Sequence, residues 1–326
     1  MKNLLVFALA TFLALPAWAQ TNPIEIEEWT VEWENTRPRD PSLADDGRVW
    51  LVGQAGDYAA VFDPATEEMK RFDLPEGAGP HTVYITRDDE IWYTGNKAAH
   101  LGRIDPQTGD VTRIEMPEGE LKDPHTLFED SQGRLWFTAQ WSNQVGRYNR
   151  ETGDIDHVDV PTENARPYGI EVAADDTVWV VLLGTNKLAR ISQDMQLTEI
   201  ELPREDARPR RIAITDRGIW YVDYARGYLG VYDPQTQEFK EWQSELGPRS
   251  GPYALADDAQ GRLWFVETHP DPNRFVGFDP DTEVFFSITP IPSGAGAVRH
   301  MVFDAARNAI WFGTDTNKIG KASLSE

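Results

Sequence analysis

Three stretches of the chain carry nearly the same phrase: Gly133-Arg134-Leu135-Trp136-Phe137, Gly261-Arg262-Leu263-Trp264-Phe265 and Ala309-Ile310-Trp311-Phe312. Outward from them, tryptophan recurs as Trp50, Trp92, Trp136, Trp179, Trp220, Trp264 and Trp311, spaced 41 to 47 residues apart. Seven units of that length are the size of four-stranded propeller blades. Each tryptophan follows a polar turn, such as Asp257-Asp258-Ala259-Gln260-Gly261. A second apolar strand, a loop and a third strand come next. An Asp-Pro-x-Thr turn then recurs at Asp63-Pro64, Asp105-Pro106, Asp233-Pro234 and Asp279-Pro280. Proline pre-sets φ there and aspartate bonds its own backbone, so the chain reverses tightly. A fourth alternating strand, such as Val111 to Met116, ends the unit. The pattern predicts an all-β, seven-bladed β-propeller of four-stranded blades.

The ends of the chain predict how the ring closes. After Trp311 only Lys318-Ile319-Gly320-Lys321 remains as strand sequence, so the last blade lacks its outer strand. The alternating segment Ile24 to Val31 is the spare one. Pairing it there hides both unpaired edges. Seven tryptophans at equivalent positions read as packing between blades rather than as ligand contacts.

Residues 1–19 read as a signal peptide. Lys2 precedes the apolar run Leu4 to Leu15, and Ala17-Trp18-Ala19 is an A-x-A cleavage site before Gln20. The expected home is periplasmic or secreted, with 20–326 as one domain and a monomer expected. No cysteine is present, which excludes disulfides, thiolate metal sites and a cysteine nucleophile. A formal net charge of −23 argues against nucleic acid and anionic membranes as partners. The apolar run is too short to span a bilayer stably, so membrane insertion is not expected.

Chemistry is expected where the repeats differ. Eleven residues before each tryptophan stand Arg39, His81, His125, Tyr168, Pro209 (or Arg210, for a shorter turn), Tyr253 and His300. This position should start each inner strand, beside the axis. A second polar set, Gln54, Asn96, Gln140, Asp223, Tyr224, Glu267 and Asp315, returns to the same face. Both sets converge on one mouth, the default pocket of a propeller. His81, His125 and His300 share a repeat position in this count. His269 falls in a loop over the mouth, while His100 and His157 fall on outer strands and read as surface residues. Arginines gather at the mouth too: Arg37, Arg39, Arg166, Arg208, Arg210, Arg211, Arg249 and Arg299. They either neutralise local carboxylates or form a positive funnel for an anionic small molecule. His81, His125, Tyr168, Arg39, Arg210 and Arg299 are the substrate-binding candidates.

The blade pattern Pro124-His125 … Leu135-Trp136-Phe137-Thr138 … Val145-Gly146-Arg147 resembles the virginiamycin B lyase (streptogramin lyase) family. The resemblance implies a seven-bladed propeller that linearises a cyclic depsipeptide by elimination across an ester. It implies a histidine base and Mg²⁺ held by carboxylate. By that resemblance His300 is the general base and Asp315 stands in for a metal-binding glutamate. Tyr253 and Val298 stand where the family has a second histidine and a glutamate. Asp315 with Glu267 is the candidate metal pair, Mg²⁺ expected ahead of Ca²⁺, and Tyr253 could protonate the leaving oxygen. Two rivals remain open: a lactonase- or gluconolactonase-like hydrolase using Glu267, Asp223, Asn96 and Asp315 for Ca²⁺, and a non-catalytic binding propeller of the cell envelope.

Overall fold

A computed structural model describes residues 22–325. The signal peptide expected over 1–19 lies outside the described residues. Seven antiparallel four-stranded sheets form the ring. The inner strands are Pro38–Leu43, Pro80–Ile85, Pro124–Glu129, Pro167–Val172, Pro209–Thr215, Pro252–Asp257 and Met301–Asp304. They belong to blades 1 to 7 in that order. Blade 7 is completed by Glu25–Thr30, which pairs antiparallel with Lys318–Ser323 in a six-residue register, from Glu25 opposite Ser323 to Thr30 opposite Lys318. The N-terminal clasp read from the sequence is therefore present.

Each repeated tryptophan is buried and packs against the following blade. Trp136 of blade 3 sits with Ile170, Val178 and Val180 of blade 4. Trp264 of blade 6 sits with Met301, Ile310 and Phe312 of blade 7. Trp311 closes the circle against Val49, Leu51 and Tyr58 of blade 1. Burying an indole obliges its N–H to find an acceptor. The turn before the strand supplies it: Asp130 for Trp136 at 2.8 Å, Asp258 for Trp264 at 2.8 Å, Asp304 for Trp311 at 3.1 Å. The Asp-Pro turns behave as their chemistry requires. Asp63, Asp105, Asp233 and Asp279 each accept the N–H two residues on, at 2.8 Å.

One backbone detail positions the site. The inner strands of blades 1 to 6 each shift register just after their first residue or two. A bulge re-aims side chains, so two successive residues of each strand approach the axis and form two stacked layers.

His100 corrects the surface reading. It lies on the third strand of blade 2, fully buried, its ring nitrogen 2.9 Å from the Tyr93 hydroxyl. The opposing residue is Gly95, whose missing side chain leaves the imidazole its slot. His157 stays on an outer strand, 3.5 Å from Glu120.

Candidate functional site

The upper layer at the mouth holds Arg39, His81, His125, Tyr168, Arg210, Tyr253 and Arg299, by strand register. His300 does not share it. Met301 opposes Phe312 as Leu127 opposes Phe137, so Arg299 matches His125 and His300 matches Thr126. Blade 7 has one extra residue in its turn: seven positions separate Asp304 from Trp311, where six separate Asp130 from Trp136. That extra residue put His300 in the wrong ring when counted from the tryptophan.

The upper layer is closed by its own side chains. His81 and His125 pack with centroids 3.3 Å apart, and His125 continues onto Tyr168 at 4.2 Å. The Tyr168 and Tyr253 hydroxyls meet at 2.5 Å. Both histidines are buried, and burial first, then neighbouring charges such as Arg39 and Arg211, holds their pKa values well below the usual imidazole range. They are neutral hydrogen-bonding rings at neutral pH. For the tyrosine pair, burial drives Tyr253 upward. At Tyr168 the same burial is overcome by Arg39 and Arg211, which lower it.

The second layer contains two groups that counting from the tryptophans did not mark. Asp40 and Arg211 are both buried and meet at 3.3 Å between Oδ2 and Nη2. Arg211 also donates to Thr126 Oγ1 at 3.1 Å and to the Arg299 carbonyl at 2.8 Å, and Thr82 donates to Asp40 at 2.9 Å. Burial alone would raise the Asp40 pKa, but Arg211, Arg39 and His300 outweigh it and hold the carboxyl well below the usual range. This cross-axis network plugs the channel. Beyond it lies a cavity of about 200 Å³, lined by Arg211, His300, Tyr84, Phe128, Glu171 and Asp257 among others.

His300 therefore sits at the level of the plug. Its pKa is lowered to about 4, chiefly by burial and then by Arg211, while Asp40 opposes the shift. Its Nδ1 is buried without a hydrogen-bond partner, the one such imidazole nitrogen among the described residues.

The expected metal pair is not brought together. Asp315 is taken by Arg299, with Arg37 at 3.7 Å. Glu267, almost wholly buried, is taken by Arg274 at 2.6 Å and by the Ser244 hydroxyl. A carboxylate neutralised by guanidinium is a poor ligand for a divalent ion, so these residues as arranged do not fit one. Among the described residues no group of three or more His, Asp or Glu side chains is placed to hold a metal. Much of the second polar set holds loops. Asn96 donates to the carbonyls of Asp123 and Pro124, and Asp223 caps the backbone at Arg208 at 2.9 Å. His269 packs edge-on against Tyr224 at 4.8 Å.

The arginines divide into two groups. Arg39 bonds Gln54 at 3.0 Å beside Asp40, Arg299 holds Asp315, and Arg211 holds Asp40. By contrast, Arg166, Arg208 and Arg210 have no carboxylate within 4.0 Å among the described residues. They line one off-axis pocket of about 480 Å³ with Gln140, Asn164 and Tyr224.

With this geometry in place, comparison with known proteins assigns the chain. Virginiamycin B lyase from Staphylococcus aureus superposes with a TM-score of 0.83 at 24% identity, over 93% of this chain and 100% of that one. A catalytically inactive His-to-Ala variant of that lyase, with quinupristin, gives 0.84 at 24% identity over the same shares. The WD40 propeller domain of Doa1 gives 0.76 at 13% identity, a likeness of fold alone. A virginiamycin B lyase of Nocardia farcinica (strain IFM 10152) is 40% identical over 67 residues, 21% of this chain, and the match spans about a quarter of that relative's length (24%). Residues 24–322 match the virginiamycin B lyase family as a whole, and the chain belongs to that family.

Proposed function

We propose that the chain is a C–O lyase that opens an ester or cyclic ester entering at the mouth, which reaches His300 in the second layer when the upper-layer side chains part. The observation that carries this reading is His300, a neutral imidazole beside the axis with an unpartnered Nδ1, in a chain of this family. The inactive relative crystallised with quinupristin is itself a histidine variant.

His300 takes a proton from a carbon next to a carbonyl. The C–O bond on the adjoining carbon breaks, a C=C bond forms, and the ester oxygen leaves as a carboxylate. A resting pKa near 4 is low for a general base working near neutrality. Negative charge developing on the ligand raises it, in the sense that Asp40 already acts. The Arg211 guanidinium beside His300 stabilises that same charge. Tyr253, next to Arg210 and Arg299, is the group proposed to hydrogen-bond the leaving oxygen.

Binding without turnover is the second reading, favoured by the ion pairs that occupy Asp315 and Glu267. Incubation with a cyclic depsipeptide ester, with Mg²⁺ and with chelator, separates the two. Ring opening by wild type that His300→Ala abolishes supports the lyase. Ligand binding with no product in either condition supports binding alone. Export rests on residues 1–19, and N-terminal sequencing of the mature protein at Gln20 tests it.

A further inference from the structure

We propose that the off-axis pocket of Arg166, Arg208 and Arg210 is a carboxylate subsite, for a ligand whose apolar or aromatic body lies against Tyr224 and Trp141. The inference rests on the mouth face being the ligand face, and it adds the ligand's chemical class.

Four observations meet there. First, a chain of net charge −23 leaves three guanidiniums in one pocket without a carboxylate partner. Arg208 is satisfied only through the Glu205 and Ala207 carbonyls, and Arg210 Nε is buried with no partner. Second, the guanidiniums are oriented by aromatic faces. Arg166 lies 4.3 Å from the Trp141 ring centroid, and Arg210 lies 4.1 Å from that of Tyr224. Stacking of this kind leaves the in-plane N–H groups free to bind a carboxylate bidentately. Third, Trp141, which borders the pocket through Arg166 rather than lining it, is 67% exposed, the one large hydrophobic side chain so exposed among the described residues. Exposed apolar surface beside convergent polar groups marks a ligand site.

The fourth observation is conformational. The residue before the inner-strand proline is left-handed in blades 1, 2, 4 and 6. In blades 2 and 6 it is Gly79 (φ +51°) and Gly251 (φ +56°), which adopt that shape freely. Blades 1 and 4 hold arginines there, Arg37 at φ +51° beside Gln54 and Asp315, and Arg166 at φ +54°, a conformation that strains a residue with a side chain. Asn143 Oδ1 pins the Arg166 N–H at 3.1 Å. Glycine fills that position without strain in blades 2 and 6, and, unlike Arg37, the Arg166 guanidinium has no carboxylate beside it among the described residues to account for an arginine there.

The test is calorimetric titration of the full mature chain with benzoate, inorganic phosphate and benzylamine. Benzoate should bind, phosphate at least tenfold more weakly, and benzylamine not at all. Arg208→Gln should weaken benzoate at least tenfold, while Arg249→Gln, an exposed arginine outside the pocket, should leave it unchanged. Arg166→Gly is the decisive variant. It should abolish benzoate binding with Tm unchanged or raised, which a structural arginine would not do. Absence of benzoate binding, equal binding of phosphate, or a lowered Tm with binding intact in Arg166→Gly would each overturn the subsite. Benzoate binding without ester cleavage would leave the subsite standing and remove the lyase reading. Cleavage indifferent to Arg166 and Arg208 would do the reverse.

Discussion

Arg211 of blade 5 and Asp40 of blade 1 meet across the propeller axis, Nη2 to Oδ2 at 3.3 Å, with both side chains buried. The pair separates the mouth from the 200 Å³ cavity beyond it, and it sets the charge environment of His81, His125 and His300.

Breaking a buried pair from one side is costly because the remaining charge has no partner. Arg211→Met should destabilise the protein by about 3–5 kcal/mol. Asp40→Asn added to it should recover part of that loss. Urea unfolding of the two single variants and the double checks this. Additive losses would mean that the two groups are not coupled.

Acid should destabilise the fold through its histidines. The folded-state pKa of His300 is depressed to about 4 from an ordinary value near 6.5. The neutral form therefore favours the native state, and that contribution is complete above pH 6.5. It is lost as pH falls through the window down to about 4. The span is on the order of 3 kcal/mol. His81 and His125 are shifted in the same direction and add to the fall. Calorimetry should show Tm dropping from about pH 7 to about pH 4.5, less steeply in His300→Gln. A flat profile would count against buried neutral imidazoles.

The clasp should be indispensable. Deleting residues 20–33 removes the strand opposite Lys318–Ser323 and Trp29, whose ring lies 5.7 Å from that of Trp311. Cooperative melting should disappear. A truncated chain that melts at the wild-type temperature would refute closure by this strand.

The turn aspartates should matter as much as the tryptophans suggest. Asp130 accepts from the Trp136 indole at 2.8 Å and from Arg134 Nε at 2.7 Å. Asp130→Ala leaves a buried indole N–H unpaired, for a loss of about 1–3 kcal/mol. Asp130→Asn should recover some of it. Chemical denaturation of both variants is the check.

The architecture was legible because repetition writes it many times over. Seven tryptophans, four Asp-Pro turns and a missing last strand all pointed to one ring, and each element behaves as its chemistry requires. The axial layers were less legible. Turn lengths vary by one residue between blades, so counting from Trp311 placed His300 level with His125 when it lies level with Thr126. Which carboxylate meets which arginine was not written in the sequence either. Asp315 and Glu267 read in the sequence as free oxygen ligands, and in the structure Arg299 and Arg274 occupy them. The Arg211–Asp40 pair is 171 positions apart in the chain, and only closure of the ring brings its members together.

The central claim is that the mouth performs elimination with His300 as the base. Mass spectrometry of a streptogramin B-type cyclic depsipeptide after incubation tests it most directly. Elimination opens the ring without changing its mass and leaves a new C=C bond, and His300→Ala should yield none of this product. A linear product heavier by one water, or the same product from His300→Ala at the wild-type rate, would contradict it.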